Sequence, residues 1–181
     1  MFAWQRLLPI ALLVALVSGC GGVEPRDYQG TEPRFEIEEF FAGKTKAWGI
    51  FQGRSGEVKR RFEVTIDGYR DGEVFVLDER FQYADGETDQ RVWRIRRTGE
   101  HTYRGRADDI IGVATGEQYG NALNWRYQLR LDVEGSTYDL TFNDWMYQIN
   151  DRVMVNRATV TKFGFEVGEV TLFFQRQGDR S

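Results

Sequence analysis

From Phe35 onward the chain alternates apolar and polar residues with a period of two, and this restricts the fold more than any other feature. Trp125, Tyr127, Leu129, Leu131 and Val133 form the cleanest stripe, set against Arg126, Gln128, Arg130 and Asp132. Phe62, Val64 and Ile66 form another, as do Leu77, Glu79, Phe81 and Tyr83, then Trp93 and Ile95. Tyr138, Leu140 and Phe142 follow, then Val153 and Val155, then Val170, Leu172 and Phe174. Phe35, Ile37 and Glu39 read as the first alternating stretch. Successive side chains of a strand point to opposite faces, so stripes rich in aromatic and β-branched residues predict half-buried strands. Asp71-Gly72 and Asp85-Gly86 supply short hairpin turns between them, and Gly99, Gly135 and Gly168 mark further turns. No amphipathic helix of useful length is found. The expectation is an all-β domain over 35–176: an antiparallel up-and-down barrel or strongly curved sheet, lipocalin-like, of eight to ten strands. Closure into a barrel removes exposed sheet edges, and a barrel of about eight strands can hold one small ligand.

The first residues have a different character. Arg6 precedes an apolar run from Leu7 to Val17, too short to span a bilayer core that needs roughly 20 helical residues. This fits the apolar region of a secretory signal over 1–19. Leu16, Val17, Ser18 and Gly19 lead into Cys20, the one cysteine of the chain. The pattern resembles the lipobox of bacterial lipoproteins, which implies cleavage before Cys20 and acylation of its thiol. Lipidation leaves no disulfide, so the core alone must hold the fold. Residues 20–34, with Pro25, Gly30 and Pro33, read as the lipidated cysteine and a flexible tether, and 177–181 as a polar tail. Gly21 stands where an Asp favours inner-membrane retention in enteric bacteria. The expected location is therefore the envelope, facing the periplasm, on the outer membrane rather than the inner.

The chain has 24 basic and 28 acidic residues, a net charge of −4. This argues against nucleic acid as a partner, whose binding leaves a basic footprint. All basic residues but Lys44, Lys46, Lys59 and Lys162 are Arg, which suits Arg–carboxylate pairs across the outer face of a sheet.

The stretch from Asn143 to Phe174 carries the most distinctive motifs: Asp144-Trp145-Met146-Tyr147, Asn156-Arg157, Lys162-Phe163-Gly164 and Gly168-Glu169-Val170-Thr171. With Ala47-Trp48-Gly49 and Gly120-Asn121-Ala122 upstream, the mature chain resembles the bacterial lipoprotein family catalogued as domain of unknown function 3833. In that pattern an acidic pair precedes the Trp, whereas here the first member is Asn143. The resemblance implies a Gram-negative lipoprotein with a lipocalin-like fold and no assigned activity, and it hints at lipid chemistry.

No catalytic constellation is read. His101 is the one histidine; a lone imidazole cannot build a His-rich metal site, and it reads as an exposed turn residue. Neighbouring carboxylates, Glu38-Glu39 and Asp108-Asp109, point to opposite faces of a strand. The segment from Asp67 to Glu73 lacks the ligand spacing of a calcium loop and reads as a solvated hairpin turn. Gly112, Gly116 and Gly120 precede no phosphate-binding helix. No metal or cofactor site is expected. Aromatic residues are the remaining signal: Trp48, Trp93, Trp125 and Trp145 are the candidate lining of an apolar cavity, with Arg157, or Arg126, to meet a ligand head group. The leading expectation is a lipid-anchored barrel that binds a fatty acid or phospholipid. An interaction module with a filled core is the alternative, and a lipid-modifying enzyme, which would need convergent titratable groups in a cavity, is the third.

Overall fold

A computed structural model describes residues 22–133 and 135–178. The signal segment, Cys20 and the end of the polar tail lie outside the described residues. Ten antiparallel strands follow one another: β1 (Gly43–Gly53), β2 (Val58–Asp71), β3 (Val74–Tyr83), β4 (Thr88–Arg97), β5 (Thr102–Arg106), β6 (Ala114–Tyr119), β7 (Ala122–Val133), β8 (Ser136–Gln148), β9 (Val153–Lys162) and β10 (Phe165–Arg176). Each pairs with its sequence neighbour, and β1 pairs with β10 from Thr45↔Arg176 to Gly53↔Gly168, which closes the barrel. The expected all-β, up-and-down, lipocalin-like architecture is therefore the observed one, at ten strands.

The expected alternation sets which face is inside on most strands. Val64 and Ile66, Leu77, Trp93 and Ile95, Trp125 and Leu129, and Phe174 are buried. On β9 the phase is opposite to the one expected. Met154, Asn156, Ala158 and Val160 are buried, while Val153 and Val155 are only half-buried on the outer face. Hydropathy misreads this strand because its inward face carries a polar residue, Asn156, and a small one, Ala158.

Phe35, Ile37 and Glu39 do not start a strand. Ile37–Phe40 is a single helical turn, α1, because Ile37, Phe40 and Phe41 recur at helical spacing. With Phe35 they are all buried and plug one end of the barrel, where Phe41 meets Phe174 edge-on at 5.6 Å between ring centroids. Gly68 on β2 makes room for this plug: a Cβ there would come within 1.8 Å of the Phe41 carbonyl oxygen. Glu36, just before α1, ties the plug to the wall by pairing with Arg34 at 2.9 Å, with Arg97, and with the Tyr103 hydroxyl, which donates at 2.9 Å.

The segment expected as a free tether is laid on the barrel from Pro25 onward. Pro25–Tyr28 forms a 3-10 turn with Pro25 buried. The Tyr28 ring packs on Trp145 at 5.8 Å and Tyr147 at 5.5 Å, and the Thr31 hydroxyl accepts from the Asn121 backbone N–H at 3.0 Å. Gly120 is required here, since its φ is +48° and a Cβ would lie 2.0 Å from the Tyr28 carbonyl oxygen.

Candidate functional site

The barrel is hollow. With one end plugged by α1, the lumen encloses a cavity of about 300 Å³ that opens toward the opposite end, where its lining includes the exposed Leu131. Most of the lining is apolar and comes from the inward stripes of β2, β3, β7, β8 and β10. Aromatic rings build one wall. Trp93 meets Trp125 edge-on at 5.7 Å and Tyr127 at 5.4 Å, and Tyr127 stacks on Phe142 at 4.9 Å. Trp125 lies flat over two glycines: a Cβ at Gly105 or Gly116 would come within 2.6 or 2.3 Å of its indole.

Set into this apolar wall is a polar cluster. Arg91 on β4 points into the lumen, and its Nε and Nη2 donate to one oxygen of Asp109, Oδ2, at 2.8 and 2.7 Å. Glu79 stands directly across from Arg91 on β3. On the facing wall Asp144 (β8) is buried and accepts from the Asn156 amide (β9), which also donates to the Trp145 carbonyl at 3.1 Å. The Oδ1 atoms of Asn156 and Asp109 are buried and have no hydrogen-bond partner.

The electrostatics follow from enclosure. Glu79 keeps some accessible surface because it fronts the cavity, yet the barrel surrounds it. Burial raises its pKa to about 7; Arg91 opposes the rise, and Asp109 and Asp144 add to it. Burial likewise raises Asp144 to about 7, partly offset by the hydrogen bond from Asn156 and by Arg91. Tyr127 is held well above its ordinary value by burial and by Asp144. Burial alone would lower the Arg91 pKa, but Tyr127, Glu79 and Asp109 outweigh it and hold the guanidinium charged.

Of the residues expected to line a cavity, Trp93 and Trp125 do. Trp48 is on the outer wall, where it meets Phe173 at 6.4 Å and lies under the Lys46 ammonium at 5.3 Å. Trp145 faces outward beneath Tyr28, where it holds the N-terminal segment. Arg157 also faces outward and pairs with Glu169 at 2.6 Å, and Arg126 is exposed, 3.4 Å from Asn143. The same alternation that puts Trp125 inside sends these four out. His101 is a packed residue rather than an exposed one: it stacks on Tyr119 at 4.0 Å, and its Nδ1 is buried without a partner. Cys20 lies outside the described residues.

Arg91, Asp109 and Asp144 were missed as lumen residues, although two of them had a visible signal. Extending the Trp93–Ile95 stripe back by two places Arg91 inside, and extending Leu140–Phe142 forward by two places Asp144 inside. Asp109 had none, because it belongs to the irregular segment between β5 and β6.

A family model described as a protein of unknown function (DUF3833) matches residues 14–176. The chain belongs to the DUF3833 family. No curated protein matches it in sequence. Among solved structures, this DUF3833 protein is similar to an S-type phycobiliprotein lyase, CPES, from Guillardia theta, at 9% identity and a TM-score of 0.59, over 81% of this chain and 96% of that one. It is also similar to a protein of unknown function from the DUF3598 family of Nostoc punctiforme, at 11% identity and a TM-score of 0.55, over 80% of this chain and 50% of that one. At these identities the likeness concerns the barrel fold.

Proposed function

We propose that this DUF3833 protein binds a lipid-like molecule in its barrel lumen while tethered to the bacterial envelope through an acylated Cys20. The observation that carries the binding role is the hollow lumen: a mostly apolar cavity, closed at one end and open at the other, with a few polar groups converging inside it. Concave apolar pockets with few polar groups are the usual form of small-molecule sites. The fold similarity to a phycobiliprotein lyase is compatible with a barrel that holds a ligand. An interaction module with a filled core would have no use for such a cavity.

The anchor reading rests on the Leu16 to Cys20 pattern. Because Pro25 is already packed on the barrel, the link from Cys20 to the folded domain could extend only about 15–18 Å, which would keep the barrel close to the bilayer and to lipid. Two experiments test the two halves. Native mass spectra of the full chain, purified after exposure to envelope lipid extract, are expected to show an adduct of lipid mass; an unloaded mass alone would refute the binding role. Radiolabelled palmitate is expected to enter the full chain and not the Cys20→Ser variant; equal labelling would refute the anchor.

A second reading is favoured by one observation. Glu79 and Asp144 both sit near pH 7 in the same cavity, the range in which a carboxyl can both give and take a proton. Acid–base chemistry on the bound lipid would change the masses in an envelope lipid extract incubated with the protein, and Asp144→Asn would abolish the change. Unaltered extract would leave binding as the role.

A further inference from the structure

The charged groups of the lumen say what kind of head group it accepts. Six charged side chains line the cavity, two of them cationic, Arg60 and Arg91, and four acidic, Glu79, Asp89, Asp109 and Asp144. Both guanidiniums already carry carboxylate partners. Arg91 is taken up by Asp109 and faces Glu79. Arg60, near the open end, pairs outward with Asp85 at 3.2 Å and Glu87 at 2.6 Å, and lies 3.7 Å over the Tyr83 ring. A carboxylate entering the lumen would meet a surplus of acidic groups within a mostly apolar wall, where like charges are costly.

Two fully buried polar atoms of the lining have no hydrogen-bond partner, and both are acceptors. Asn156 is completely buried, lines the cavity and has an acceptor atom, Oδ1, with no donor; Asp109, also in the lining, is partly exposed, but its Oδ1 atom is likewise buried without a donor. A buried acceptor without a donor carries a desolvation cost of about 1–3 kcal/mol that a ligand N–H or O–H would remove. The acidic groups themselves are not grouped as metal ligands: among the described residues no three His, Cys, Asp or Glu side chains are placed to hold a metal ion.

We propose that the lumen selects a lipid-like ligand whose polar end donates hydrogen bonds, an amine or a hydroxyl, and rejects a free fatty-acid carboxylate. The apolar body lies against Leu140, Phe142 and Leu172, and the donor end reaches Asn156 Oδ1 and the carboxyl groups of Asp144 and Glu79. This rests on the binding role proposed above and narrows it, replacing the fatty acid expected from sequence.

Three molecules of equal chain length separate the possibilities. Dodecylamine, dodecanol and dodecanoate are titrated into the purified full chain by calorimetry, below their micelle-forming concentrations and at mildly alkaline pH. The amine and the alcohol are expected to bind, the amine about tenfold or more tighter than the carboxylate. Asp144→Asn, which keeps the side-chain shape, is expected to reduce the amine's advantage over the alcohol, and Asn156→Leu to weaken both donors while leaving dodecanoate unchanged. Dodecanoate binding as tightly as the amine would overturn the head-group inference and leave the binding role standing. Failure of all three to bind would overturn the binding role itself, and the head-group inference with it.

Discussion

Arg91 and Asp109 meet inside the barrel, with two guanidinium nitrogens on the single oxygen Oδ2 at 2.7 and 2.8 Å. The pair brings the loop after β5 onto the wall of β4, and it supplies the counter-charge that Arg91 needs in an apolar lumen. Removing one partner of a buried pair leaves the other charge uncompensated, a change that costs about 3–5 kcal/mol in well-buried cases. Asp109 retains a third of its side-chain surface, so Asp109→Ala is expected to cost about 2–3 kcal/mol in chemical denaturation. Substituting both Arg91 and Asp109 with apolar residues is expected to cost less than Asp109→Ala alone.

The raised carboxyls give stability an uncommon pH dependence. Glu79 and Asp144 ionise near 4 when the chain is unfolded and near 7 when it is folded. Between these values the unfolded state has lost its protons while the folded state still binds them. Rising pH therefore favours unfolding, and the loss is complete above the folded value. A fall in Tm from about pH 4 to about pH 7 is the expected contribution of this pair, on the order of 3 kcal/mol per group. Asp144→Asn is expected to flatten the profile, and thermal melts across this pH range check it.

Gly116 holds Trp125 against the wall. In Gly116→Ala the new Cβ would lie 2.3 Å from the indole, and the ring has the cavity as its direction of escape. A loss of about 1–3 kcal/mol from overpacking is expected, together with weaker ligand binding as the indole moves into the lumen. Calorimetry with dodecylamine checks the second effect separately from the first.

Phe163 stands at the turn between β9 and β10 with φ +51° and 88% of its surface exposed. A non-glycine residue in this left-handed region costs about 1 kcal/mol or more, and Asn tolerates it best. Little packing would be lost with so exposed a ring. Phe163→Asn is expected to raise stability by about 1 kcal/mol in denaturant titrations.

Period-two alternation gave away the barrel because ten strands each bury one face, and the stripes from Phe62 to Ile66 and from Trp125 to Leu129 show it plainly. It could not give the plug, since Phe35 to Phe41 supports both periods and only the packing against Phe174 and Gly68 decides between them. The site was harder to read. Its residues break the hydropathy pattern that marks the inward face: Glu79, Arg91, Asp144 and Asn156 are polar where apolar residues are expected, and on β9 the outward Val153 and Val155 carry the stronger hydropathy signal. Trp48 and Trp145 are large and aromatic, as core residues are, yet they serve on the outside, Trp145 to hold Tyr28 and Trp48 beside Phe173. Strand phase, rather than residue size, decides what reaches the lumen.

The most direct measurement is a crystal of the full chain soaked with a bromine-tagged dodecanol and examined for the anomalous signal of the bromine. A hollow, ligand-binding lumen predicts a bromine site inside the barrel, among Leu140, Phe142 and Leu172. Bromine found only on the outer wall, in the groove between Trp48 and Phe173, with the lumen occupied by protein side chains, would contradict the account.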